Sequence, residues 1–412
     1  MAKKAQVDKV ASPADIKLLN RQRILDVFKT GEKKTAMDVQ SATGISKPTI
    51  MRTLQYFCDG GILRSAGLVD ASRMGGKKPE CFTLADRRPI VCIALWPGRI
   101  TLAMSYLVGD VYNIKHYEHE LEQDLDRVFT YLKKILKDYL GEEGLDFKHV
   151  YGVELSTAGT VDYKSNKLLY NSQSPGWGSN IDLEKYIRRI FGSKIVCYVE
   201  NAGKAVGRAT LLDWPELNRQ RVLTIFSTWG ISACLIDSGH VLNGKDSLIG
   251  EIGHMTISDS DQAVCNCGKK GCLEIMVSIG RVKSILQEQG EEQLAANITF
   301  PELFEHSEQG NEAARAAVSY LAHRFAIALH NISLSYNPDI VVFQGDFAYA
   351  DDFFDQCLIK ELQEFRYYPQ NGIFRTEYDR RELSVLAARG GSTLLKKKYF
   401  ATIENELKND SM

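Results

Sequence analysis

Glu251-Ile252-Gly253-His254, followed by Cys265-Asn266-Cys267-Gly268-Lys269-Lys270-Gly271-Cys272-Leu273-Glu274, is the stretch on which the reading of this chain turns. Three cysteines within eight residues, and a histidine eleven residues before the first, supply four soft ligands, the set that closes a tetrahedral zinc site. Gly268 and Gly271 let the backbone bend tightly enough for three thiolates to converge on one ion. Cys92, Cys197 and Cys234 stand in apolar runs and read instead as small core residues. The expectation is one structural zinc held by His254, Cys265, Cys267 and Cys272. With all four positions filled by protein, no zinc-activated water is expected.

Together these residues match Glu-x-Gly-His followed by Cys-x-Cys-Gly-x-x-Gly-Cys-x-Glu, and the chain closely resembles the ROK family (repressors, open reading frames and sugar kinases). The resemblance extends over nearly the whole sequence. Ser156-Thr157-Ala158-Gly159-Thr160-Val161-Asp162 resembles the family's Pro-Gly-x-Val-Asp turn, with Ala158 in place of the proline. Pro175-Gly176-Trp177, Glu200-Asn201 and Asn337-Pro338-Asp339-Ile340-Val341-Val342 fall in family order. The family holds both enzymes and transcription factors, so the branch must be decided from the remaining residues.

At 412 residues, two or three domains are expected. An apolar share of 44 % with 25 % charged residues is globular, and no run approaches the ~18 apolar residues of a membrane span. Met1-Ala2-Lys3-Lys4 leads into no apolar signal core, and nine cysteines, an odd number that includes one cluster spaced for metal, suit a reducing compartment, so a cytoplasmic location is expected. The formal net charge of −1 hides an asymmetry: residues 1–90 carry 17 Lys+Arg against 9 Asp+Glu, and the rest is acidic. A basic N-terminal module on an acidic body points to a polyanion partner.

Residues 12 to 85 read as a winged helix-turn-helix. Ser12-Pro13-Ala14-Asp15 starts a helix with a capping serine and an early proline. Ile16, Leu19, Ile24, Leu25, Val27 and Phe28 are compatible with one helical face, and Gly31 ends it. A short helix over about Thr35–Thr43 leads through Gly44-Ile45-Ser46 into a third helix, capped by Ser46 and running to about Cys58. On it, Ile50, Leu54 and Phe57 should face inward, and Lys47, Thr49, Arg52 and Thr53 outward. Such a helix enters a major groove through its N-terminal residues. Ile62-Leu63-Arg64 and Glu80-Cys81-Phe82-Thr83-Leu84 look like wing strands. The connection Arg73-Met74-Gly75-Gly76-Lys77-Lys78-Pro79 predicts a mobile cationic finger, and ROK repressors carry a similar segment here. Ser46, Lys47, Thr49, Arg52, Lys77 and Lys78 are the expected DNA contacts. A three-helix protein-interaction module with basic loops is the competing reading.

From Pro89 onward strands alternate with helices, the pattern of α/β layers. Strand-like runs occupy Ile90–Leu95, Arg99–Tyr106, Val150–Ser156, Lys194–Val199, Val222–Phe226 and Ile340–Phe343. Helices are expected over Leu125–Leu140, Leu183–Ile190, Ser278–Glu288 and Asn311–Tyr336. The resemblance sharpens this to a two-lobed, actin-like (ribonuclease H-like) body with a sugar cleft between the lobes. The expected divisions are 1–88 for the winged helix, 89–205 for a first lobe completed by a C-terminal helix near 385–405, and 206–384 for a second lobe with the zinc motif and dimerisation helices.

A sugar kinase needs glycine-rich phosphate turns and a carboxylate that accepts the sugar hydroxyl's proton. Where family kinases read Asp-x-Gly-x-Thr, this chain has Ala94-Leu95-Trp96-Pro97-Gly98. The second loop, Gly-Thr-Gly-Ile-Gly in those enzymes, matches Thr228-Trp229-Gly230-Ile231-Ser232. The Asn-Asp pair holding the base is Asn201-Ala202, and the third loop's Gly-Gly is Gln344-Gly345. Loss of the base alone removes roughly 10²–10⁴-fold of rate. The family's sugar contacts map onto Asn201, Glu251, His254 and Glu274, all present, whose amide and carboxylates suit adjacent hydroxyls. His254 would bind zinc through one nitrogen and offer the other to a ligand; alternatively, the carboxylates merely satisfy loop amides. The reading is therefore a transcriptional regulator, a repressor by the habit of the family. It would bind a double-stranded operator as a homodimer or dimer of dimers and answer to a sugar or sugar derivative without phosphorylating it. An active kinase, or a regulator answering to a protein partner or phosphosugar, are the alternatives.

Overall fold

The computed structural model describes residues 12–68, 78–120, 124–367 and 372–410. The N-terminal module opens on a helix over Pro13–Phe28 held by a reciprocal capping box. The Ser12 hydroxyl accepts from the Asp15 amide at 3.1 Å, while the Asp15 carboxylate accepts from the Ser12 amide at 2.9 Å. Thr35 and Asp38 repeat the device before the helix Ala36–Thr43, which Gly44 ends in a left-handed turn (φ 68°). The third helix spans Lys47–Asp59, and Leu63–Leu68 pairs with Glu80–Leu84 as the wing. A short strand, Lys34–Thr35, adds a third edge by pairing with Phe82 and Cys81.

Three expectations in this module need correction. Ser46 holds the N-cap backbone position but makes no side-chain cap; its hydroxyl pairs with Thr49 Oγ1 at 3.0 Å. Pro48 has no N–H to offer, and the Thr49 amide is already taken by the Ser46 carbonyl. Thr53 is buried rather than outward. Ile16 and Leu19 are exposed, because only the second half of their helix, through Ile24, Leu25 and Phe28, reaches the core.

The body contains two five-stranded sheets built to one plan. In the first, Ile90–Trp96 lies parallel to Gly152–Thr157, which lies parallel to Val196–Asn201. On its other side Ile90–Trp96 continues antiparallel through Arg99–Ser105 to Val111–Glu118. In the second, Arg221–Ser227 takes the place of Ile90–Trp96. It runs parallel to Ile340–Gly345 and then Arg375–Asp379, and antiparallel to Ile231–Asp237 and then His240–Val241. A small antiparallel sheet, Thr160–Asp162, Lys167–Tyr170 and Ser179–Asp182, stands beside the first. Parallel strands covered on both faces read as continuous apolar runs, which is why Ile90–Trp96 is buried throughout.

Each sheet has its own core. Leu125–Glu142 and Leu183–Phe191 cover one face of the first, and the 24-residue helix Glu312–Ser335 anchors the packing on the second. A third core joins the winged module to the body. Ile24, Phe28, Leu54 and Phe57 share it with Ile90, Cys92 and Ala103 of the first sheet, and with Leu395, Phe400, Ile403 and Leu407. Those last four lie on the C-terminal helix, Leu383–Asn409. No helix among the described residues is long and apolar enough to cross a membrane.

Candidate functional site

The cysteine loop folds as two tight turns. Gly268 and Gly271 both adopt positive φ (83° and 70°), and a Cβ on Gly271 would lie 1.7 Å from the Ser258 carbonyl oxygen. The Cys265 carbonyl accepts from the Gly268 amide at 2.8 Å, and the Cys265 amide donates to the Lys269 carbonyl at 2.8 Å. One ligand atom from each of His254, Cys265, Cys267 and Cys272 lies within 4.8 Å of the others. The Cys267 and Cys272 sulfurs are 3.7 Å apart, and the Cys265 sulfur is 3.7 Å from His254 Nδ1. A tetrahedron of ~2.3 Å metal–sulfur bonds has an edge of about 3.8 Å, so the four residues fit a metal ion. Without a cation, burial pushes the Cys265 thiol up to about 12.

This loop closes one wall of the cleft between the lobes. Pro97, Gly159, Asn201 and Ala202 line the cleft from one side, and Trp229, Gly230, Glu251, His254 and Glu274 from the other. The expected sugar residues are thus brought together, but three of them, Asn201, Glu251 and Glu274, are partly committed to the protein itself. Asn201 caps the helix Ala202–Asp213, its Oδ1 accepting from the Lys204 amide at 3.1 Å while its Nδ2 donates to the Gly159 carbonyl at 2.8 Å. Glu274 Oε2 accepts from the Ile231 amide at 2.9 Å. Glu251 is held by Thr160, whose hydroxyl donates to Oε1 at 3.0 Å. Burial raises the Glu251 carboxyl above its ordinary range, against the lowering effect of that hydroxyl. Glu251 Oε2 and His254 Nε2 have no hydrogen-bond partner among the described residues.

Thr160 and Gln173 were not anticipated as site residues. Each crosses between lobes: Thr160 to Glu251, and Gln173 through its Nε2 to Glu274 Oε1 at 3.4 Å and through its Oε1 from Asn266 Nδ2 at 3.3 Å. The small sheet therefore reaches Glu251 through Thr160, and the cysteine loop through Gln173 in one of its connections.

The segments that align with the kinase phosphate turns hold packed apolar groups here. Ala94, Trp96, Ala202 and Phe226 belong to one buried cluster. The Trp96 ring meets Phe226 edge-on at 5.7 Å and Trp229 at 6.2 Å. In the second turn the Thr228 amide donates to the Gly230 carbonyl at 3.0 Å, and the Ile231 amide is spent on Glu274. At the third turn the buried Gln344 donates to Thr210 Oγ1 at 3.1 Å and to Asp379 Oδ2 at 3.0 Å, a structural bridge rather than a phosphate cradle.

On the winged module, Ser46, Lys47 and Arg52 are exposed at the start of the third helix and Thr49 is half-buried. Lys78 is exposed at the foot of the wing; Lys77 lies outside the described residues.

The fold and cleft define a two-lobed, actin-like body of the sugar-kinase type carrying a winged helix. The ROK family profile matches residues 101–396, and the chain belongs to the ROK family. It is 21 % identical over 361 residues to the xylose repressor of Caldicellulosiruptor bescii, an alignment covering 85 % of this chain and 87 % of the repressor. Among solved structures it resembles a ROK family transcriptional regulator described as a homolog of the E. coli MLC protein. The TM-score is 0.68 at 20 % identity, covering 92 % of this chain and 98 % of the other. It also resembles the ROK hexokinase of Thermus thermophilus, with a TM-score of 0.57 at 19 % identity, covering 75 % and 99 %.

The lobe-to-lobe bridge yields a direct test. Thr160→Val keeps the shape and removes the donor to Glu251, and a hydrogen bond to a charged or strongly polar group contributes about 1.5–3 kcal/mol. The variant is expected to lower the urea midpoint of the body with its m-value unchanged; an unaltered midpoint means the bridge carries no stability.

Proposed function

We propose that the chain is a sugar-responsive, DNA-binding transcriptional repressor whose kinase-like body senses a sugar without phosphorylating it. The observation that carries this reading is one chain combining two states of repair. The sugar-side groups Glu251, His254 and Glu274 converge on the cleft, while Ala94, Trp96, Ala202 and Phe226 fill the phosphate side with a packed apolar cluster. The likeness to a xylose repressor over most of both chains supports the regulator branch. Ala202 stands where a base would take the hydroxyl proton, and a methyl group cannot accept it.

The metal of the His-Cys₃ cluster is zinc in this reading, because a closed set of one imidazole and three thiolates is its structural coordination. It supplies a fixed loop rather than a reaction. His254 turns Nδ1 to the sulfurs, which leaves Nε2 for a ligand hydroxyl beside Glu251 Oε2. A ligand that draws the lobes together would shift the C-terminal helix and, with it, the winged module. In a two-fold dimer this changes the separation of two recognition helices that must match half-sites about one or two DNA turns apart. The sugar then relieves repression by binding the non-operator state more tightly.

Purified protein is expected to hold about one zinc per chain, and Cys267→Ser to lower the melting temperature by roughly 5–10 °C, a few kcal/mol in a body of this size. Metal-free protein that melts at the same temperature contradicts the assignment. In the full chain, Lys47→Ala should weaken operator and non-operator DNA alike and reduce the slope of log K against log salt by about one unit. Arg52→Ala should cost about 1–3 kcal/mol at particular base pairs only. Gel-shift titrations at several salt concentrations read both effects, and a full chain indifferent to duplex DNA at low salt ends the reading. Glu251→Ala should weaken the authentic sugar by about ten- to a hundred-fold in calorimetry, with no ATP consumed by any variant. Sugar-dependent ATP turnover would restore the kinase.

A further inference from the structure

Beside the polar cleft lies a second, larger chamber of about 780 Å³. The polar cleft itself encloses about 60 Å³, and the two share Gln173, Thr228, Trp229, Gly230, Ile231 and Glu274. The partition between them is therefore one loop and two side chains, not a packed wall. Trp229 stands on this loop and is 50 % exposed. A half-exposed indole facing a chamber of small-molecule size is an unsatisfied apolar surface of the kind that ligands cover. The chamber is also lined by Asp346, Lys283 and Ser278, and by Phe300 and Phe347; Asp346 follows Gly345, which pairs with Ser227 at the base of the Trp229 loop.

The chemistry of this chamber is wrong for a nucleotide. The amides of Thr228 and Ile231 that would meet phosphate oxygens are already donated to Gly230 and Glu274. Two carboxylates, Glu274 and Asp346, line the space against a single ammonium, Lys283, so a polyphosphate would meet a net negative wall. Asp346 accepts no hydrogen bond among the described residues, and burial pushes its carboxyl up to about 6. A flat aromatic face with carboxylate and amide acceptors at its rim is instead suited to a pyranose, which presents C–H groups on its faces and hydroxyls around its edge.

We infer that the effector is a disaccharide or longer saccharide, its first ring held in the cleft by Glu251 and His254 and its second stacked on Trp229 with a hydroxyl donated to Asp346. This rests on the sugar-sensing reading above and names the class of sugar. A single ring would leave the larger chamber filled only with water and the indole uncovered. A second ring covers the indole and gives Asp346 the donor it lacks.

The test is calorimetry on the full, zinc-loaded chain with xylobiose, cellobiose, maltose, lactose, sucrose and chitobiose, each beside its constituent monosaccharides. At least one disaccharide is expected to bind about tenfold or more tightly than its best monosaccharide. Asp346→Asn should remove roughly threefold or more of that gain while leaving monosaccharide affinity within about twofold, and Trp229→Ala should reduce disaccharide affinity more than monosaccharide affinity. Monosaccharides binding in a Glu251-dependent way with no gain from a second ring would overturn this inference and leave the sugar-sensing reading intact. A gain untouched by either variant, or adenosine or ATP competing with the disaccharide, would also overturn it. If none of the sugars binds, both readings fall together.

Discussion

The contact on which the rest depends is the laying of the C-terminal helix directly on the backbone of the helix Ala202–Asp213. Gly390 makes it feasible: a Cβ there would lie 1.8 Å from the Ala205 carbonyl oxygen and 2.9 Å from the Ala209 amide nitrogen. Gly391 does the same over the first sheet, where a Cβ would sit 2.2 Å from the Glu154 carboxyl group. Glu154 is completely buried, and desolvation together with the nearby Glu200 holds its carboxyl well above the ordinary range. At one end the helix touches the residues that begin the cleft, since Ala202 opens the helix it lies on. At the other it reaches the winged module, where Lys29 pairs with Glu404 at 2.9 Å and Tyr56 donates to Asp410. A rigid element 27 residues long thus joins the two ends of the proposed switch without an intervening linker.

Much of this was legible in the sequence because the informative signals are local. The cysteine spacing, the capping serine at position 12 and the apolar strand runs all act within a few residues. The long helix expected over Asn311–Tyr336 runs Glu312–Ser335, with Asn311 as its cap. The illegible parts are contacts between distant segments. Thr160 meets Glu251 across 91 residues and Gln173 meets Glu274 across 101, and neither residue type advertises a partner. Helix faces are hard to read for the same reason. Thr53 looks polar and outward, yet it packs inward beside Leu54, while Ile16 and Leu19 look like core and stand in solvent. Periodicity shows that a face exists but not how far along a helix its partner extends.

The departures from a kinase are coordinated rather than scattered. Ala202 removes a carboxylate and in the same step becomes part of the apolar cluster with Ala94 and Trp96. Gln344, in the third turn, spends both its amide hydrogens on Thr210 and Asp379, binding the second sheet to the helix beneath the cleft.

Trp96 and Trp229 have a consequence for how the molecule can be watched. The chain contains four tryptophans, and these two approach within 6.2 Å edge to face across the mouth of the cleft, one buried and one half in solvent. Their environments differ in polarity, and their mutual geometry depends on the angle between lobes. The ultraviolet emission of the unlabelled protein therefore carries a built-in optical report on lobe position, with its intensity and colour set by these two indoles.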